Sequence, residues 1–351
     1  MNFGQLIRHR GRLGAKVKVL VTGNLGFIGP HLIQQLKRNG HIAVGVDIDL
    51  FSGCKWYELP LPHKQIIKDF RKLTVEELVG YDCIMHLAAI SNDPMGNLHP
   101  KLTYDINFTG SVELAKLAKL ANVPRFLFAS SCSVYGKTQD GQSLDESAEL
   151  SPLSAYAESK IKTEKEVSVL SDESFCPIFL RNSTAYGNSP MLRIDLVVNN
   201  LLGCAFAKNE IAINSDGLPW RPLIHCSDIA KAFVALLDCP KDLVQGKAIN
   251  IGSNDENYQV RGVAEAIQKV LPCAKIVFTG KMVNDPRDYK VNFDLLSSVL
   301  PDFKLDYTLQ TGIEDLLSEF VRRDFNAEDF NGNQFVRMSC LKNSLSKLTA
   351  L

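Results

Sequence analysis

The feature that most constrains this chain is the stretch TGNLGFIG at residues 22–29, which comes after the apolar run VKVLV at 17–21 and opens into an amphipathic segment. Three glycines at this spacing carry meaning only between a strand and a helix, and both flanks are present. Gly23 allows a tight turn, Gly26 lets backbone approach a diphosphate, and Gly29 lets helix and strand pack closely, with the helix N-terminus facing the phosphates. Leu25, Phe27 and Ile28 stand among these glycines and would share the contact. From Phe27 to Asn39 the residues Ile28, Leu32, Ile33 and Leu36 fall on one stripe, and Gly40 supplies a stop. Pro30 falls in the first turn, where a missing N–H donor matters little.

Short apolar runs then alternate with helix-period segments: residues 42–47, 64–69, 82–89, 125–130 and 177–181. Each run is too uniformly apolar for a sheet with one wet face, so both faces are expected to be covered. The pattern predicts an α/β chain with a Rossmann-type doubly wound parallel sheet. After about residue 183 loops rich in Asn, Ser, Pro and Gly intervene, at 182–190 and 214–222. We expect there a smaller C-terminal substrate-binding domain over the carboxyl edge of the sheet. The stretch 221–253 returns to strand, helix and strand, with Asp228 read as the helix N-cap and His225 as structural. The expected organisation is a flexible extension at 1–15, a dinucleotide-binding domain at 16–183 plus 221–253, a substrate domain at 184–220 plus 254–325, and a mobile tail at 326–351.

Charge excludes one class of partner. The 351 residues hold 39 basic and 39 acidic side chains, so no global field draws the chain to nucleic acid. Nine scattered cysteines, an odd number without a CxxC pair, suit reduced thiols in a cytoplasm, and no cluster has metal-ligand spacing. No apolar run reaches the roughly 18 residues of a membrane span. Residues 1–15, with Arg8, Arg10 and Arg12, lack the apolar core of a secretory signal.

Asp47 ends the second strand candidate, where a carboxylate accepts from a ribose 2′-hydroxyl and repels a 2′-phosphate, which favours NAD over NADP. Asp49 is a nearby candidate for the same role, and Asp69 comes after the third strand, in reach of an adenine amino group. In YAESK, Tyr156 and Lys160 are four residues apart and share a helix face. An ammonium there would stabilise a phenolate and lower the tyrosine pKa. The fifth strand runs into ASSCSVYG at 129–136, bringing hydroxyls to the same sheet edge.

The ordered set TGxxGxxG, HLAA (86–89), SSxSVYG, YxxxK and LRNSTAYG (180–187) resembles the extended short-chain dehydrogenase/reductase family, in its NAD-dependent sugar-nucleotide epimerase and dehydratase group, over roughly residues 17–320. The resemblance implies catalysis by Ser131, Tyr156 and Lys160. It implies a cofactor site that adds Leu87, Ala88, Ala89 and Asn107 to the residues above, with Tyr156 and Lys160 also touching the cofactor. The nucleoside-diphosphate sugar would meet Ser131, Ser133, Thr184, Arg193, Asn199 or Asn200, Arg221 and Arg287, the arginine forks suiting a diphosphate. A homodimer through helices at 103–121 and 152–172 is implied as well. One departure matters: members that dehydrate sugars at carbons 4 and 6 carry an Asp-Glu pair where this chain has Cys132 and Ser133. The expected activity is epimerisation through a transient ketone. A 4-dehydrogenase or 4-ketoreductase would use the same residues, and 4,6-dehydration and a non-catalytic NAD-binding scaffold stand behind these.

Overall fold

A computed structural model describes residues 16–137, 142–280 and 287–342, so the basic extension and the end of the tail lie outside the described residues. The strands are β1 (Lys18–Thr22), β2 (Ile42–Asp47), β3 (Lys64–Ile67), β4 (Cys83–His86), β5 (Arg125–Ser131), β6 (Ser143–Leu144), β7 (Cys176–Asn182), β8 (Thr184–Tyr186), β9 (Glu210–Ile213), β10 (Trp220–His225), β11 (Ala248–Ile251), β12 (Asn257–Gln259), β13 (Lys275–Phe278) and β14 (Lys290–Val291). Seven of them form one parallel sheet in the order β11-β7-β5-β4-β1-β2-β3. The winding reverses between β1 and β4, and a crevice opens outside their carboxyl ends, the place where such sheets bind ligands.

Alternation along the strands feeds two cores. Val19 and Val21 pack with Leu32, Leu36 and Phe233 on one face, and Leu20 packs with Val44, Phe126, Leu114 and Val167 on the other. Helix Gly29–Arg38 buries Leu32, Ile33 and Leu36 and gives way to Gly40 at φ 78°.

A third core, holding Tyr186, Leu192, Val198, Ile211, Ile267 and Phe320, lies under β8, β9, β10, β12 and β13. β10 pairs with β8 and β12, outside the large sheet, while helix Cys226–Leu237 packs on the large sheet's core and β11 joins its edge. Asp228 is not the cap of that helix. His225 Nδ1 accepts from the Ser227 N–H at 3.3 Å, and the Asp228 carboxylate, one turn in, accepts from Asp306 and Tyr307 N–H at 2.8 and 3.1 Å.

The tail also departs from expectation as far as it is described. Beyond helix Ala327–Asn331, Phe335 packs in the third core, Arg337 is buried and Leu341 packs in the second core. Its apolar residues are too sparse to show a period, yet Phe335 and Leu341 are buried against elements distant along the chain. All nine cysteines are free thiols. No helix among the described residues is long and apolar enough to cross a membrane.

Candidate active site

The crevice floor is made where β1 turns. Gly23 has φ 74°, and a Cβ there would stand 2.6 Å from the Ala88 nitrogen, so the turn and the HLAA segment fit only without a side chain. At Gly29 the clash would be with the Asn24 backbone, at 2.3 Å, so that glycine serves the loop's own closure rather than packing against the strand. Gly23, Leu25, Gly26, Phe27, Ile28 and Gly29 all line the crevice, as do Leu87, Ala88 and Ala89 from the end of β4. His86 sits in the core: Nδ1 pairs with Thr22 Oγ1 at 2.6 Å and Nε2 with Ser111 Oγ at 2.8 Å, and burial pulls its pKa down to about 3, so it is neutral.

Asp47 lines the crevice and accepts from Leu25 N–H at 3.0 Å and Asp49 N–H at 2.9 Å. Of the two candidate carboxylates, therefore, Asp47 faces the ligand space and Asp49 supports it through its backbone. Asp69 also lines the crevice, with both oxygens engaged by the Arg71 guanidinium. Asn107 is placed differently. It is wholly buried in a π-helical turn, Asp105–Gly110, accepting from Ile90 N–H at 2.8 Å and donating to the Ile90 carbonyl at 3.0 Å. It holds the segment after β4 in place and does not itself border the crevice.

Ser131, Tyr156 and Lys160 come together at the ends of β5 and helix Ala155–Ser168, all lining the crevice. The helix begins there because Ser154 Oγ caps the Ala157 N–H at 3.0 Å while donating to Asp93 at 2.5 Å. Gly96 lets the neighbouring helix lie against Tyr156, for a Cβ there would be 2.8 Å from the tyrosine Cβ. Burial, then Asp93, push the Tyr156 pKa up to about 12; a hydrogen bond with Ser131 and the charges of Arg193 and Arg287 pull against that. Lys160, four residues on along the same helix, is not among the largest influences on that shift. Its Nζ lies 5.5 Å from the phenol centroid and donates to the Ala129 carbonyl at 2.7 Å. Burial brings the ammonium down to about 7, with Glu164 resisting. Burial disfavours the charged form of both groups.

Behind them Glu164 and Arg181 form a buried pair at 2.7 Å, extended by Ser130 to the carboxylate and by Tyr135 and Asn250 from the guanidinium. Cys132 points into this layer, its thiol donating to the Arg181 carbonyl at 3.1 Å.

The opposite wall carries Ser133, Thr184, Arg193 and Arg287 into the crevice. Arg193 is held by Asp195 at 2.5 Å and Arg287 by Asp93 at 2.7 Å. Arg221 stands behind Arg287, donating to the carbonyls of Trp220 at 2.8 Å and of Arg287 at 2.5 Å. Asn199 and Asn200 do not border the crevice. The first bonds both backbone groups of Gly187 and the second the Ile194 carbonyl at 3.0 Å, shaping the loop that presents Arg193.

The family model described as NAD dependent epimerase/dehydratase matches residues 19–252. A Bacillus subtilis protein named as the uncharacterized UDP-glucose epimerase YtcB is 32% identical over 287 residues, 77% of this chain and 87% of that protein. This chain belongs to the NAD dependent epimerase/dehydratase family. Human dTDP-D-glucose 4,6-dehydratase is 28% identical over 73% of this chain and 75% of that one. The Bacillus cereus UDP-glucuronic acid 4-epimerase, solved with UDP-glucuronic acid and NAD, is 25% identical, with a TM-score of 0.75 over 87% of this chain and 99% of that chain.

As a member of this NAD-dependent family, the chain has a crevice that fits its cofactor: a side-chain-free floor at Gly23 and Gly26 and a carboxylate at the end of β2. Asp93, Asn182, Ser183, Tyr289 and Arg337 also line the crevice, and sequence reasoning missed them. Asn182 and Ser183 could have been found, since they stand at the close of a strand that ends at the ligand edge. Asp93, Tyr289 and Arg337 had no local signal, because only the packing of distant segments brings them there.

Proposed function

We propose that this enzyme is an epimerase of a nucleoside-diphosphate sugar, oxidising one sugar hydroxyl to a ketone and returning the hydride to the other face. The observation that carries this is the pair of residues after Ser131: a buried Cys132 thiol and Ser133, where elimination would need a base. Of the carboxylates lining the crevice, Asp47 and Asp69 lie beyond β2 and β3, and Asp93 accepts from Ser154 and Arg287. Glu164 is closed in its pair with Arg181. Loss of water requires a proton taken from the carbon beside the ketone, and a serine hydroxyl is too weak a base for that. The absence of such a base among the described crevice residues favours return of the hydride to the ketone.

Bound NAD supplies the hydride acceptor, held by the glycine floor, Asp47 and Lys160. Tyr156 Oη takes the proton from the sugar hydroxyl and gives it back, while Ser131 Oγ orients that hydroxyl. Ser133 Oγ and Asn182 Oδ1 are buried with no hydrogen-bond partner among the described residues, which suits a ligand rich in hydroxyls. Arg193 and Arg287 would exchange their aspartates for the sugar's diphosphate, with Arg221 buttressing the second.

Incubation with a panel of nucleotide sugars, tracked by NMR and by absorbance of NADH, tests the reading. An epimer without net NADH is expected; stoichiometric NADH, or loss of water, overturns it. We further propose a homodimer through helices at 103–121 and 152–172, where Leu120 and Val169 are 67% and 79% exposed. Sedimentation should give a dimer that Leu120→Glu dissociates, and a wild-type monomer would refute it. The free thiols suit a reducing cytoplasm.

A further inference from the structure

Arg337 belongs to none of the groups above. It comes from the last described segment, far beyond the ordered sequence motifs, and it lines the crevice while only 2% exposed. Its Nη2 donates to the Met191 carbonyl at 3.0 Å, and its guanidinium carbon lies 4.6 Å from the centroid of the Phe51 ring. The Cys54 thiol, a weak acceptor, lies against the guanidinium and Arg193 repels it, while its Nη1 is buried and has no hydrogen-bond partner among the described residues. A charged donor shut away from water without an acceptor is costly and calls for an explanation. The carboxylate whose charge reaches it, Asp195, is already engaged by both arms of Arg193 and by Asn92.

The surroundings say where the missing acceptor belongs. Phe51 lies beyond the end of β2, and Arg193 reaches the Ser91 carbonyl, beyond the end of β4, at 3.3 Å. Ser189, which accepts from Met191 N–H at 3.2 Å, donates to the Phe27 carbonyl of the glycine loop at 2.7 Å. Arg337 thus lines the same crevice as the turn made by Gly23 and Gly26, beside Phe51 from the segment after β2. A dinucleotide lying on that turn presents phosphate oxygens on its outer side at this point.

We propose that Arg337 is a ligand of the NAD diphosphate and that the C-terminal segment forms the outer wall of the cofactor site. Both ends of the segment are anchored for this. The Phe335 carbonyl accepts from Ile194 N–H at 3.0 Å, and Phe335 itself packs in the third core. Beyond Arg337, Leu341 packs in the second core, which also holds Val46 and Phe70, and the Cys340 and Cys54 sulfurs are 3.1 Å apart. The segment straps the small domain to the cofactor half directly across the diphosphate. Release of NAD then requires the strap to lift, which keeps the cofactor in place between two half-reactions. The proposal rests on NAD as the family's cofactor and stands apart from the choice of epimerisation.

The test titrates NAD, ADP-ribose, adenosine and UDP into the full chain, wild type and R337Q, at low and high salt. R337Q is expected to weaken NAD and ADP-ribose tenfold to a hundredfold, to leave adenosine within twofold, and to flatten the salt dependence of NAD binding. R337K should recover part of the loss, since lysine restores the charge without the fork. The thermal midpoint of the cofactor-free R337Q protein should not fall, because the orphaned donor is removed. Equal weakening of NAD and adenosine, a loss confined to UDP, or unchanged NAD affinity each overturns the proposal. Should R337Q fail to fold, R337K is read in its place: a severalfold loss for NAD with adenosine unchanged supports the assignment, and equal affinities refute it.

Discussion

On the glycine-loop side of the crevice the lining comes from one short stretch, residues 23–29 with Asp47 as its carboxylate, whereas the opposite wall takes side chains from residues near 93, 133, 184, 193, 287 and 337. The first side is complete before any ligand arrives: Gly23 is already turned at φ 74° and Asp47 is already anchored by the Leu25 and Asp49 N–H groups. Apart from Arg337, the second side holds its arginines in pairs, Arg193 with Asp195 and Arg287 with Asp93. A cofactor admitted past the strap would therefore meet a floor already formed, while the proposed substrate would have to displace internal partners from the wall. Displacement lowers affinity for a bare anion and favours a ligand that also satisfies Ser133 and Asn182, which ties binding strength to the whole ligand.

The largest expected effect is on chemistry alone. Tyr156→Phe should lower turnover on the order of 10³-fold with NAD affinity within about twofold; a parallel collapse of cofactor binding would show that the floor and the catalytic wall are not separable. Gly23→Ala should act on the other side, since the positive φ and the 2.6 Å approach to Ala88 make strain of about 1–3 kcal/mol. NAD binding and the thermal midpoint should both fall while UDP binding persists, and a variant that keeps its cofactor would sink the account of the floor.

The smallest effect is a pH slope. Lys160 titrates near 7 in the folded protein, against an ordinary 10.5, because it is buried. Between these values the unfolded chain holds a proton that the folded chain lacks, so this group makes stability rise with pH across that window; below it the reduction is fully present. Lys160→Met should remove that rise, read as the difference in denaturation midpoint between pH 7 and pH 9 for the two proteins. Equal slopes would place the ammonium in water, and make the wall wetter than the floor.

The part of the site that could be read in the chain is the part made of near neighbours. Gly23, Gly26, Asp47, Ser131, Tyr156 and Lys160 each stand at or next to the end of an element whose periodicity is plain, and a parallel sheet gathers all such ends at one edge. Asn107 and Asn199 show why the rest was harder. An asparagine offers the same amide to a ligand or to the backbone, and here both amides bind the backbone and hold loops rather than ligands. Asp228 was displaced from its expected cap by one turn because the loop at 306–307, far along the chain, needed its carboxylate.

By itself, then, the sequence determined the doubly wound sheet, the glycine turn after its first strand and the hydroxyls that meet at the sheet edge, since these depend on hydrogen bonding and periodicity within a few residues. Tertiary structure alone decided which charges are paired, how far burial shifts Lys160 and Tyr156 from their ordinary pKa values, and that Arg337 reaches the crevice. Desolvation and pairing are properties of the space around a side chain, and that space is filled by segments far apart along the chain.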